Sequence, residues 1–165
     1  LASIVRELPD GAVELEVDPE TGQMTLLEVV TAHDVGTIIN PLGHQGQIEG
    51  GLIQGIGFGM IEEMRAEDGR VSTLSRGDYK LPNIKDIPPL KTVLVQEQVG
   101  PVPFQGKSIG ESSITPITAA IANALYDAVG VRICDLPITA EKVYRALQAR
   151  QGFGEETPQE DRRSR

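Results

Sequence analysis

Between residues 46 and 59 this chain places glycine at 46, 50, 51, 55, 57 and 59, in a stretch that otherwise has the make-up of a helix. Asn40-Pro41 opens it as a capping Asn followed by a Pro in the first turn would. Each interior glycine costs roughly 1 kcal/mol against alanine. Several together forbid a helix unless another surface packs closely on it. Gly51, Gly55 and Gly59 are spaced four apart and make one smooth stripe. The expectation is a helix over 43–60 whose bare surface meets a close neighbour or wraps a ligand.

The flanking segments supply the neighbours. Residues 12–17 (AVELEV) alternate apolar and acidic side chains, the pattern of a half-buried strand. A turn at Asp18-Pro19-Glu20-Thr21-Gly22 leads to a return strand over 24–31, so the two form a β-hairpin. Residues 67–70 read as a turn between short strands. Residues 80–89, with Pro82, Pro88 and Pro89, read as extended or looped. Residues 90–96 make a strong strand, and 100–113 a glycine- and proline-rich loop. Thr115-Pro116 opens a helix through Ala128, with Ile117, Ile121, Ala124 and Leu125 on its apolar face and Gly130 as its stop. Thr139 caps a last helix, with Val143, Ala146 and Leu147 facing inward. The fold class is therefore α+β. Residues 1–150 form one domain of mixed strands packed with a Gly-rich helix and two C-terminal helices, and 151–165 a disordered polar tail.

Composition removes several functions. A net charge of −9 argues against nucleic-acid binding, which needs a basic surface. A single cysteine, Cys134, excludes an internal disulfide, a multi-cysteine zinc site and an iron–sulfur cluster held by this chain alone. It is expected as a buried, reduced thiol. The weakly polar run 50–61 is too short to span a bilayer. The chain starts Leu1-Ala2-Ser3, without a basic leader, and reads as a fragment or processed product of a cytoplasmic protein.

Three groups of residues could carry chemistry. Gln47, Gly51 and Gln54 fall near one helix face, where two primary amides beside bare glycine suit a flat ligand rich in donors and acceptors. The plainer alternative is a helix packed on a sheet with its glutamines in solvent. Glu111 closes the run Phe104-Gln105-Gly106-Lys107-Ser108-Ile109-Gly110-Glu111, just ahead of a helix. The helix's positive end would keep the carboxylate ionised, and an ionised carboxylate in a tight loop can take a proton. The alternative is a helix-end charge and nothing more. His33-Asp34 lacks a serine or cysteine nucleophile in triad context, so His33 reads as structural and His44 as surface or packing. The histidines lack zinc-site spacing.

Taken in order, Ala32-His33-Asp34-Val35-Gly36, Asn40-Pro41, Gly46-Gln47-Ile48-Glu49-Gly50-Gly51 with Gln54-Gly55, and Gly106-Lys107-Ser108-Ile109-Gly110-Glu111 resemble one family. The segments from Ala119 to Arg132 and Leu136-Pro137-Ile138-Thr139 continue the resemblance. It is to the C-terminal part of the molybdopterin-binding subunit of the xanthine dehydrogenase and aldehyde oxidase family, and it runs from about Val13 to Leu147.

The resemblance implies a molybdenum hydroxylase that oxidises an aldehyde or N-heteroaromatic carbon with water as the oxygen source. A molybdenum-pyranopterin cofactor, in one form a cytosine dinucleotide, would be shared with segments this chain lacks, and no residue here would ligate the metal. Glu111 matches the glutamate that takes a proton beside the metal. Gln47 matches a glutamine that hydrogen-bonds the pterin, and Lys107, Ser108, Ile109 and Gly110 match the loop that passes the cofactor. The family loop often reads Gly-Ala-Lys-Gly-Val-Gly-Glu. Gln105 and Gly106 replace its first two residues, and Ser108 stands where glycine or alanine is usual. The implied partners are the remainder of the molybdenum subunit, iron–sulfur and FAD domains or subunits, and a small-molecule substrate, in an oligomer. The isolated chain would be inactive. The other classes of function are a non-catalytic fragment or assembly domain that keeps the fold without turnover, and a free-standing small-ligand module.

Overall fold

The computed structural model describes residues 2–8, 11–97 and 101–152, with 2–8 and 151–152 described by their backbone alone. Beyond Gly152, the polar tail lies outside the described residues. Three antiparallel strands, β1 (Ala2–Leu8), β2 (Gly11–Val17) and β3 (Met24–Asp34), run in sequence order. The hairpin follows from the alternation in β2. Val13, Leu15 and Val17 are fully buried, and Glu14 and Glu16 point to the other face. Its turn is closed by the Asp18 carboxylate, which accepts from the Glu20 N–H at 2.9 Å and the Thr21 hydroxyl at 2.8 Å.

Two minimal strands, β4 (Ala66–Glu67) and β5 (Arg70–Val71), flank the expected turn. The sheet is completed by β6 (Leu90–Val95), which pairs parallel to β3 and gives the order β1-β2-β3-β6. A parallel pair needs a crossover, and the Gly-rich helix provides it. This helix, α1 (Pro41–Ile56), starts as the sequence indicates: the Asn40 side chain accepts from the Gly43 N–H at 3.0 Å. It ends in a π-helical turn, Gly57–Ile61, in which the Glu62 N–H reaches back to the Gly57 carbonyl at 2.8 Å. One further turn, α2 (Arg76–Tyr79), is held by a capping box between Ser75 and Asp78. No helix among the described residues is long and apolar enough to cross a membrane.

The glycine stripe is the contact surface for α3 (Thr115–Val129). A Cβ on Gly51 would lie 2.0 Å from Ser113 Oγ, one on Gly55 3.0 Å from the Ile114 carbonyl oxygen, and one on Gly59 2.9 Å from Thr118 Oγ1. The close approach offsets the helix-propensity cost and lets Ile48, Leu52 and Ile56 of α1 join Ile117, Ile121 and Leu125 of α3 in one core over β2. Gly51 therefore does not belong to an open ligand face beside Gln47 and Gln54. The glycines that do lie open are Gly46 and Gly50, where an added Cβ would meet nothing within 4 Å. Gly50→Ala is accordingly expected to stabilise the chain, by up to about 1 kcal/mol. Urea unfolding checks this, and a lower midpoint for the variant would contradict the open geometry.

Gly130, at φ +67°, ends α3, and its N–H donates to the Tyr126 carbonyl at 2.7 Å. The chain then reaches α4 (Ala140–Gly152), where Thr139 Oγ1 accepts from the Lys142 N–H at 3.3 Å and Val143 and Leu147 are buried. Cys134 corrects the expectation of a buried thiol, since it is exposed. The segment is anchored by Val131 and Ile138, both buried, and the short stretch between them carries Cys134 outward.

Candidate functional site

Strands β3 and β6 end side by side, with Asp34 opposite Val95. Just past that edge the chain turns at Gly36, at φ +61°, and residues 35–37 pair with 105–107. The Lys107 N–H donates to the Val35 carbonyl at 3.0 Å, and the Thr37 N–H to the Gln105 carbonyl at 3.1 Å. The loop expected over 100–113 is thus tied to the sheet where it leads toward Glu111. Phe104 and Gln105 both adopt φ +57° just before the tie, and the Phe104 side chain is 83% exposed. Two successive non-glycine residues in the left-handed region are costly and mark a segment held by its surroundings.

Asp34 organises the junction. One carboxylate oxygen accepts from the Gly36 N–H at 3.0 Å and the Glu97 N–H at 3.2 Å, and the other accepts from the Lys107 ammonium. The Lys107 hydrogen bond first, and the Gly36 N–H next, hold this carboxyl well down, from an ordinary 3.8 to about 2, against a smaller opposing effect of burial. Because the folded value is the lower one, the stability Asp34 contributes is present above about 3.8 and is lost as pH falls through about 2. An NMR titration of the Asp34 carboxyl carbon is expected to place its midpoint near 2, and Lys107→Met to raise it toward 3.8. An unshifted midpoint in wild type would refute the arrangement.

At its far end the loop meets α1. Gln47 Nε2 donates to the Gly110 carbonyl at 2.8 Å. This joins two of the sequence motifs across 63 residues of chain. Ser108, Gly110 and Glu111 are exposed, whereas Ile109 is half-buried and packs against the core. The Glu111 carbonyl accepts from the Ile114 N–H at 3.0 Å, which places Glu111 one turn ahead of α3. No N–H of residues 108–111 finds an acceptor among the described residues. Against Gly110 lies the exposed Gln47 amide, and on the same helix Gly46 and Gly50 are open. Unpaired backbone donors, a side-chain amide and a bare helix face fit a flat heterocycle that carries both donors and acceptors, as a pterin does. Among the described residues Gln54 is exposed without a tie to the loop, His33 is buried in β3, and His44 lies half-buried near the start of α1. Reading motifs one at a time misses Asp34 and Gly36 as loop anchors, although both stand in the Asp-x-Gly that precedes Asn40-Pro41.

Residues 11–88 match the family model of the molybdopterin cofactor-binding domain. The chain belongs to that family. It corresponds to part of the molybdenum-binding subunit of the xanthine dehydrogenase and aldehyde oxidoreductase family. It is 39% identical over 134 residues to the xanthine dehydrogenase molybdenum-binding subunit of Escherichia coli O157:H7, covering 80% of this chain and 18% of that protein. Its fold matches quinoline 2-oxidoreductase from Pseudomonas putida 86 with a TM-score of 0.79 at 33% identity, over 84% of this chain and 18% of the other. It matches the aldehyde oxidoreductase of Desulfovibrio gigas with a TM-score of 0.74 at 36% identity, over 84% and 15%. The chain thus spans less than a fifth of the length of these relatives. Asp34 and Gln47 fall inside the span of the family model, and Lys107 to Glu111 after it.

Proposed function

We propose that this chain is the base-bearing part of a molybdenum hydroxylase that oxidises an aldehyde or an N-heteroaromatic carbon, with water as the oxygen source. The observation that carries this reading is the Gln47–Gly110 hydrogen bond, which joins the glycine helix to the loop that leads into Glu111. Gln47 and the backbone of Ser108, Ile109 and Gly110 would hold the pyranopterin, in one form a cytosine dinucleotide. When bound, the molybdenum cofactor supplies the two-electron oxidation. The chain's own contribution is positional and acid–base. Ile109 anchors the loop to the core, Gly110 leaves room at the surface, and Glu111 presents an exposed carboxylate that accepts a proton. Ser108, with an exposed hydroxyl, is a hydrogen-bond donor beside the same surface.

The remaining walls of the cavity would come from the rest of the molybdenum subunit, in line with the small share of the relatives that this chain spans. Iron–sulfur clusters and FAD would lie on partner domains or subunits of an oligomer and carry the electrons away. Turnover per molybdenum, compared between the wild-type subunit and its Glu111→Gln variant, tests the reading. Retained metal with lost turnover supports it, and retained turnover leaves the chain as a non-catalytic assembly domain.

A further inference from the structure

Among the described residues, hydrogen bonds tie the loop that carries Glu111 to the rest of the chain at two places, and only one of them lies on the ligand side. The Gln47 amide holds Gly110 from α1. The other tie is a clasp at the sheet's edge. There the Asp34 carboxylate gathers the Lys107 ammonium, the Gly36 N–H and the Glu97 N–H, and so joins the loop to the ends of both parallel strands. Both partners of the ion pair are about seven-tenths covered, with side-chain exposures of 31% for Lys107 and 30% for Asp34. The Lys107 N–H is used as well, by the Val35 carbonyl. Lys107 thus holds the loop through both its side chain and its backbone.

We infer that Asp34 is a positioning residue for the Glu111 loop, acting through Lys107. The inference rests on the proposed function only for what the loop is positioned to do. The clasp itself is a property of the chain. Asp34→Asn is nearly isosteric and keeps one oxygen for the Gly36 and Glu97 N–H groups. It replaces the oxygen that faces Lys107 with an NH2 group, which cannot accept. Lys107→Met keeps the aliphatic stem and removes the charge. Lys107→Arg keeps a cation that can reach the carboxylate.

The test is amide hydrogen exchange on the full chain, followed at Lys107 and Thr37, whose N–H groups bond across the clasp, and at Val13 and Leu125 in the core. Asp34→Asn and Lys107→Met are each expected to speed exchange at Lys107 and Thr37 about tenfold, the scale of one charge-assisted hydrogen bond. The double variant should be no faster than either single one, Lys107→Arg should restore protection, and the core amides should keep their rates. Unchanged exchange at Lys107 and Thr37 would overturn the inference. So would acceleration that extends equally to Val13 and Leu125, because the pair would then serve the whole fold. In the assembled subunit the same variants should lower kcat and leave KM and molybdenum content near wild type. Equal loss of metal and activity would overturn the positioning role. If Glu111→Gln keeps its turnover, the base assignment fails, and the exchange comparison still decides the clasp.

Discussion

Glu111→Gln is expected to lower turnover per molybdenum by about 10²–10⁴-fold while fold and metal stay in place. The side chain is exposed, and its loop is held by backbone and neighbouring groups: Gln47 on Gly110, Ile114 on the Glu111 carbonyl, and Lys107 on Asp34. None of these contacts uses the Glu111 carboxylate. Glutamine, of the same size, therefore leaves them all intact, and stability should change by less than about 0.5 kcal/mol, as at other surface positions. The amide differs in one respect that matters: it cannot accept a proton at neutral pH. A large fall in rate with unchanged stability and metal content would isolate the proton-accepting role. The measurement is turnover divided by bound molybdenum, with cofactor absorption confirming that the site is filled. A variant that keeps most of its rate would reduce Glu111 to a charge one turn ahead of α3.

Elements whose signal is local are legible in the sequence. The β2 alternation, the Asn40-Pro41 start, the Gly130 stop and the Thr139 cap each depend on a few adjacent residues, and each stands where local chemistry puts it. Features set by distant neighbours are not legible. Gly51 and Gly50 are adjacent and chemically identical, yet one is pressed under Ser113 and the other lies open, because only the packing of α3 distinguishes the two sides of α1. The same holds for the parallel pairing of β6 with β3 and for Cys134, whose exposure is decided by Val131 and Ile138 on either side. At the site, helical spacing can suggest Gln47, but its partner Gly110 is 63 residues away. Asp34 stands beside His33 and invites reading as half of a catalytic pair. Its real partner, Lys107, is 73 residues distant in the chain. Order and spacing of several motifs therefore carry more about this site than any one motif can.

The packing at that junction gives Gly36→Ala a large expected cost to stability. Gly36 has φ +61°, where an L-residue pays roughly 1–2 kcal/mol. Its added Cβ would also lie 2.2 Å from the Gln105 carbonyl oxygen and 3.2 Å from the Lys107 nitrogen. Both obstacles are backbone atoms, so no rotamer change relieves them, and overpacking of this kind adds about 1–3 kcal/mol. The total, about 2–5 kcal/mol, is a large part of the roughly 5–15 kcal/mol typical of a folded domain. Some of it can be escaped if residues 105–107 swing away from 35–37. That escape would break the Lys107–Val35 and Thr37–Gln105 hydrogen bonds and release the loop toward Glu111. Gly36→Ala is thus expected either to lower the urea midpoint strongly or to leave the core stable with the loop detached. In both cases amide exchange at Lys107 and Thr37 should rise well above that of wild type. Gly50→Ala, the same chemical change on the open face of α1, serves as the control. A Gly36→Ala chain with wild-type stability and wild-type protection at both amides would show that the turn does not depend on glycine and that the loop is held by something other than its pairing with the end of β3.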